Sequence, residues 1–292
     1  MKDAKTAWLL FLRFGCMALL SLGVVGVGGC ALPPPKSKTS AEVLREIEPG
    51  YRVFRADRQG LQPVVLVLHA ASDRAWTPDS DALVRRLVAS GYGVVFIDSY
   101  TGRGISGSSL RAGALLPAER AADLLVTIEW AARQPWIDPK RIAVFGHSHG
   151  ATTILDALVL APPDNKPTGL VDPPAEALRR VKGAVVRSPW CVAPILGNEL
   201  VKSVRLDWSI ETPLLAFLPT ADTVSDPMLC RNALERAKGR NSAVEVVYYQ
   251  GARHNFPISI TETGQVGADY RSDLAEDSFL RTIAFLRNRI GE

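Results

Sequence analysis

Histidine and cysteine are scarce in this chain of 292 residues, with four of each. Two cysteines, Cys16 and Cys30, lie in the first thirty residues, which leaves Cys191 and Cys230 for the rest of the chain. The histidines are His69, His147, His149 and His254. They are isolated or flank a single serine, and no Cys/His group has metal-ligand spacing, so neither a metal nor a cofactor is expected. An excess of one charge is also missing. The formal net charge is +4, and Lys2, Lys5 and Arg13 against Asp3 account for half of it. That excludes the basic footprint of a nucleic-acid-binding protein. The apolar run at residues 14–27 is too short for a comfortable membrane span. There is no internal repeat.

What is present is the composition of a globular protein, 47% hydrophobic and 22% charged. The length suits one large α/β domain with a sizeable core. The most informative stretch is Arg141-Ile142-Ala143-Val144-Phe145-Gly146-His147-Ser148-His149-Gly150. It reads as a buried-type strand, a sharp turn and then a helix beginning near Ala151. A nucleophilic serine at such a turn sits in a cramped backbone, and the residues two before and two after it face each other and must be small. The helix N-terminus favours developing negative charge, and the amide of His149 is placed to donate to an oxyanion.

The flanking pattern is α/β. An edge strand is expected at residues 51–55, and buried strands at 63–68, 93–97, 181–186, 213–218 and 243–249. Helices are expected at 117–133, 228–237 and 273–289, and another begins at the Thr77-Pro78 cap and stops at Gly91. Alternating strands and helices predict a mostly parallel sheet with helices on both faces. Chemistry in such sheets collects beyond the carboxyl ends of the strands. His69, Tyr100, Ser148, Asp222 and His254 all fall there.

A serine hydroxyl needs a base within hydrogen-bond reach. His147 and His149 flank the turn and point away from the serine oxygen, and His69 ends an early strand. His254, in the loop after the last strand, is the expected base. The acid that orients it is expected to be Asp222, in the turn after strand 213–218. Asp226 and Asp207 are the rivals. Asp226 precedes Pro227 and could cap the next helix, while Asp207 precedes its strand and so lies at the wrong end of the sheet. The order Ser148, Asp222, His254 is that of the α/β-hydrolase fold.

Over residues 50–290 the chain resembles the dienelactone-hydrolase-like family of α/β-hydrolases. The residues that carry the resemblance are Gly146-His-Ser-His-Gly150, Asp98-Ser-Tyr-Thr-Gly-Arg-Gly104, Pro219-Thr-Ala-Asp222 and Tyr249-Gln-Gly-Ala-Arg-His-Asn-Phe256. It implies a second oxyanion amide at Ala71. Two departures stand out. Serine replaces the cysteine nucleophile of dienelactone hydrolases proper, so dienelactone is not implied as substrate. His69-Ala70 replaces the usual His-Gly.

Arg103 lies in a glycine-flanked loop near the active end. It reads either as a cation for a substrate carboxylate or as a structural pair with an acid. The spacing Gly102-x-Gly104-x-x-Gly107 does not open a helix directly and lacks the partnering acid, so no dinucleotide is expected. Tyr100, Trp190 and Phe256 are candidates for the pocket wall or for the core. Cys191 and Cys230 both follow strands at the active end, and outside the cytosol they are expected to form a disulfide, with two buried thiols as the alternative. The proline-rich insertion at residues 162–180 is either a lid or a surface loop.

At the N-terminus, positive residues and the apolar run lead into Val27-Gly28-Gly29-Cys30. This resembles the bacterial lipoprotein box and implies a signal peptide at 1–29, lipidation of Cys30 and a tether at 30–49. A hydrolase domain follows at 50–292. Ala31 lacks the aspartate that would imply retention at the inner membrane, so an outer-membrane lipoprotein facing the periplasm is expected. A plain secretory signal or a retained anchor would also place the domain outside the cytosol. The expected activity is hydrolysis of a small carboxylic ester or lactone through an acyl-enzyme, with membrane contact through the lipid alone and no oligomeric state implied. A peptidase or acyltransferase on the same triad and a non-catalytic envelope binding protein are the alternatives.

Overall fold

The computed structural model describes residues 36–111, 113–159, 167–195, 199–202, 211–240 and 243–292. Lipidation at Cys30 and the rival Asp207 fall outside them. Among the described residues the elements run α1 (Ser40–Ile47), β1 (Arg52–Phe54), β2 (Gln62–Leu68), α2 (Pro78–Ala89), β3 (Gly93–Ile97), α3 (Gly107–Arg111) and α4 (Pro117–Ala132). They continue with β4 (Ile137–His147), α5 (His149–Leu158), α6 (Ala177–Arg180), β5 (Val181–Arg187), β6 (Val192–Ile195), β7 (Glu199–Lys202), β8 (Leu214–Pro219), α7 (Pro227–Arg240), β9 (Val244–Tyr249) and α8 (Ser272–Ile290).

The seven-stranded sheet has the order β1-β3-β2-β4-β5-β8-β9. Only β1, at the edge, pairs antiparallel in it. β6 and β7 form a separate antiparallel hairpin, which no alternation in the sequence announced. The central strands carry apolar residues on both faces because both faces are covered. Val64, Leu66 and Leu68 of β2 join the core beneath α1, α4, α5 and α7. Val65 and Val67, one residue out of step, join the core beneath α2 and α8. The period of two along a strand thus feeds two separate cores.

One expectation is corrected. The stretch at 30–49 is not a tether throughout, because α1 lies within it and packs Val43 and Ile47 into the core. Thr39 and Glu42 form a capping box that starts this helix. The cap and the four-residue apolar spacing were readable, but the proline-rich residues before them masked the signal. The described part of the 162–180 insertion lies along the domain. Lys38 bridges to Leu170, Ser40 bonds to Asp172, and Ala177 is buried.

Candidate active site

Ser148 stands between β4 and α5 with φ 54° and ψ −120°, a strained conformation for a residue other than glycine. Small neighbours make this turn possible. A Cβ on Gly146 would meet the backbone carbonyl of Gly150 at 2.6 Å, and one on Gly150 would meet the carbonyl oxygen of Leu68 at 2.4 Å. The strand-to-helix turn is therefore pressed against the end of β2. The Ser148 amide donates to the Arg187 carbonyl at 2.9 Å, and the first helical bond runs from the Thr152 amide to the Ser148 carbonyl at 3.0 Å.

Three side chains from three post-strand positions meet here. The Oγ of Ser148 lies 2.8 Å from Nε2 of His254, and Nδ1 of His254 lies 2.7 Å from Oδ2 of Asp222. Nδ1–H donates to the carboxylate, so Nε2 is left to accept from the serine hydroxyl. Ser148 and His254 are shielded from solvent, at 4% and 3% exposure, and so is the side chain of Asp222, at 2%. Asp222 is fixed on its other side by the amides of Val224 and Ser225, which donate to Oδ1, and by the Ser225 hydroxyl on Oδ2. Burial raises its pKa, but the bonds from His254, Ser225 and Val224 outweigh this and hold the carboxyl below its usual range. The rival Asp226 accepts from the Met228 amide and caps α7.

The supporting shell was not read from the sequence. The Ser188 hydroxyl donates to the His254 carbonyl at 2.9 Å and clamps that loop from β5. The Ala221 amide donates to the Ala252 carbonyl, which ties the Asp222 and His254 loops together. Both bonds join segments far apart in the chain, so no local pattern could show them.

His149, which opens α5, and Ala71, in the loop after β2, border the serine; Ala71 lines the same pocket. His69 is held behind that loop, with Nδ1–H on the Ala70 carbonyl at 2.7 Å and the Ser99 amide on Nε2 at 3.2 Å. Burial, then the nearby Arg120 charge, push His69 far below its usual pKa, so it is neutral. The same two causes act on His149, and burial with the Arg187 charge acts on His147.

Arg120 is a second feature that sequence reading missed. It is fully buried in α4, and its guanidinium donates to the His69 carbonyl at 2.8 Å, to the Ser99 hydroxyl at 2.8 Å and to Nδ1 of His149 at 3.2 Å. A faint signal existed. Arg120, Asp123 and Thr127 form a polar line at i, i+3 and i+7 along a helix otherwise buried by apolar residues.

The structure does not bring Arg103 to the pocket, which corrects its reading as a substrate cation. The guanidinium forks onto Asp123 at 2.6 and 2.8 Å, lies 3.3 Å from Glu46 and donates to the Ser99 carbonyl at 3.1 Å. Asp123 is fully buried, and the arginine compensates its charge. Tyr100 is not part of the described pocket lining either. Its hydroxyl donates to the Ala70 carbonyl at 3.2 Å, so it backs the loop from behind. Trp190 does line the pocket, and its backbone is held by Thr152. Phe256 is fully buried core. Cys191 and Cys230 are joined in a disulfide.

The pocket over Ser148 and His254 has a volume of about 410 Å³. Apolar side chains of Ala71, Trp190, Val224, Ile258 and Ile260 make much of its wall. Its charged side chains among the described residues are Asp79, Glu262 and Asp269. Burial raises the pKa of Asp79 against the pull of Arg187, 3.7 Å away. Among the described residues no group of three or more His, Cys, Asp and Glu could hold a metal ion.

Comparisons with known proteins bear on this geometry. Residues 43–168 match the model of the X-Pro dipeptidyl-peptidase (S15) family. An uncharacterized protein of Mycobacterium tuberculosis is 28% identical over 223 residues, covering 74% of this chain and 73% of that protein. Among solved structures, a provisionally assigned dienelactone hydrolase of Klebsiella pneumoniae matches with a TM-score of 0.62 at 20% identity, over 81% of this chain and 91% of that one. Apo esterase 2 of Thermogutta terrifontis matches with a TM-score of 0.58 at 16% identity, over 82% and 89%. A dienelactone hydrolase-like promiscuous phosphotriesterase from metagenomic libraries matches with a TM-score of 0.59 at 15% identity, over 82% and 92%. The chain has the α/β-hydrolase fold.

Proposed function

We propose that this protein is a serine hydrolase acting on small carboxylic esters. The observation that carries the reading is the continuous row Ser148 Oγ, His254 Nε2, His254 Nδ1 and Asp222 Oδ2, with contacts of 2.8 and 2.7 Å. In the first step Ser148 Oγ bonds to the ester carbonyl carbon while its proton passes to Nε2 of His254. The carbonyl oxygen becomes an oxyanion, held by the amides of His149 and Ala71. The tetrahedral intermediate collapses, the C–O bond to the alcohol breaks, and His254 returns the proton to the leaving oxygen. A water molecule then repeats the sequence on the acyl-enzyme, giving its proton to His254 and releasing the acid. Asp222 keeps the His254 tautomer and offsets the imidazolium charge.

The test is a fluorophosphonate probe mapped by peptide mass. Thermogutta terrifontis esterase 2 is phosphorylated by paraoxon and phosphonylated by sarin, so this class of trap suits an esterase of the same fold. Labelling at Ser148 that His254→Ala abolishes is the expected result. An unlabelled but folded protein would sink the reading and favour a binding role.

A peptidase reading is the second, favoured by the family model over residues 43–168. Matched ester and amide substrates with one acyl group separate the two. Cleavage of the amide at a comparable rate would make the peptidase the better reading.

The setting we propose is the bacterial cell envelope, with Cys30 lipidated after removal of residues 1–29. The Cys191–Cys230 disulfide supports an oxidising compartment. Among the described residues no helix is long and apolar enough to cross a membrane. Palmitate incorporation that is lost in Cys30→Ser tests the anchor.

A further inference from the structure

The mechanism above leaves Arg120 unused, although a fully buried cation is costly to hold. The carboxylate one turn on, Asp123, is taken by Arg103. Arg120 instead spends its donors on neutral groups: the His69 carbonyl, the Ser99 hydroxyl and the His149 ring. Among the described residues its Nη2 has no hydrogen-bond partner. Burial lowers its pKa, but only to about 10, so it is charged at neutral pH.

Two of the three contacts fall on the segments that border Ser148. The His69 carbonyl belongs to the loop that leads to Ala71, and the His149 ring belongs to the first residue of α5. These segments lie 51 and 29 residues from Arg120 along the chain and touch each other only through tertiary packing. Gly150 already presses α5 against the carbonyls of Leu68 and His69, at 2.4 and 2.8 Å for a Cβ built there. That contact limits how near the segments come. One guanidinium nitrogen, Nη1, donates to both, while Nε on the Ser99 hydroxyl fixes the plane of the group, so Arg120 limits how far apart they drift and how they rotate.

We infer that Arg120 is a positioning residue for the oxyanion site, gripping the Ala71 loop and the start of α5 with one guanidinium so that their two amides converge. The inference rests on the reading of Ser148 as nucleophile, since only then do these amides act together. The fixed cation behind them also favours negative charge developing in front of them.

The test uses the full chain with Arg120→Met and Arg120→Lys. Three things are measured: kcat and KM on p-nitrophenyl acetate, the Ki of a trifluoromethyl ketone whose serine adduct carries the oxyanion, and amide exchange along the backbone. In Arg120→Met, kcat should fall by about a hundredfold, the effect of losing one oxyanion donor, with KM within about twofold. The ketone should weaken in step with kcat. Exchange should quicken at residues 69–72 and 149–151 and stay unchanged around Asp222 and His254. Arg120→Lys keeps the charge but loses the planar group anchored on Ser99, so it should lie between the two, and it decides the matter if the methionine variant does not fold. Unchanged kcat in either folded variant would overturn the inference. So would a fall in kcat without weaker ketone binding, since that marks a merely structural role. If the wild-type protein neither cleaves esters nor takes the fluorophosphonate, the hydrolase reading fails on its own. The exchange measurement still decides whether Arg120 holds the two segments, and unchanged local exchange would reject it.

Discussion

Nδ1 of His254 stands 2.7 Å from Oδ2 of Asp222, across 32 residues of sequence. The two loops that bring them together follow β8 and β9, neighbours at the end of the sheet. In Asp222→Asn the amide that replaces the carboxylate would favour the wrong imidazole tautomer. We expect kcat to fall roughly 10⁴-fold with KM little changed, as loss of this group does in other triads. Asp226→Asn should stay within a few-fold of wild type in steady-state ester hydrolysis. Equal losses in the two variants would remove Asp222 from its role.

Arg103 is a structural cation, and Arg103→Met should reveal it as one. The change leaves the buried Asp123 without its fork, at a cost of about 3 kcal/mol or more. Urea unfolding should show that loss, while KM for a neutral ester stays within about twofold. A raised KM with unchanged stability would restore the substrate-binding reading.

The pocket's described charges are the carboxylates Asp79, Glu262 and Asp269, of which Asp79 lies 3.7 Å from Arg187 and Asp269 lies 3.8 Å from Arg253. A substrate carboxylate near them would be repelled. Between two esters of equal size, one neutral and one bearing a free carboxylate, kcat/KM should favour the neutral one by about threefold at low salt, because two of the three carboxylates are paired with arginines, and by less as salt rises. A preference for the anionic ester would show that another cation reaches the site.

The Cys191–Cys230 bridge closes a loop of 39 residues that contains the proposed catalytic acid. Loop-closure entropy gives such a bridge a stabilising effect of about 4 kcal/mol. Cys230→Ala should lower stability by up to that amount in denaturant titrations. The two sulfur-bearing residues are 0% and 1% exposed, so mild reductant should act only once the protein opens. Stability equal to wild type in the variant would show that the bridge does not constrain the unfolded chain as expected.

His69, His147 and His149 are all fully buried and held neutral, far below the ordinary histidine pKa of 6.5. The unfolded chain takes up their protons below about pH 6.5, and the folded chain does not. Stability is therefore complete above that pH and is lost as pH falls beneath it. Each histidine contributes a slope of about 1.4 kcal/mol per pH unit until its folded pKa is reached. Unfolding free energies measured from pH 8 to pH 5 should drop steeply below pH 6.5. A flat profile over that range would mean that all three rings protonate without unfolding.

The strands and helices flanking Ser148 were legible because their signals are local. Residues 141–150 show an apolar run, a tight turn of small residues and a helix start in one window. His254 and Asp222 were legible through chain order, since each follows a strand of the same parallel sheet. Arg103 was half legible. Its loop lies at the right end of the sheet, but its partner Asp123 is on α4, and no rule of spacing joins a loop to a helix 20 residues on. α1 was missed because the proline-rich residues before it suggested chain that cannot pack. The β6–β7 hairpin, Ser188 and Arg120 were missed for a common reason: their roles depend on contacts made only after the sheet has formed.

By itself the sequence determined the parallel sheet, the cramped serine turn and the order of the three polar residues, because hydrophobic period and turn chemistry act over a few neighbouring residues. Tertiary structure decided which acid meets His254, that Arg103 turns inward to Asp123 and that Arg120 lies behind the turn of Ser148. These depend on charge burial, where a buried ion settles against whichever partner the packed chain brings within about 3 Å.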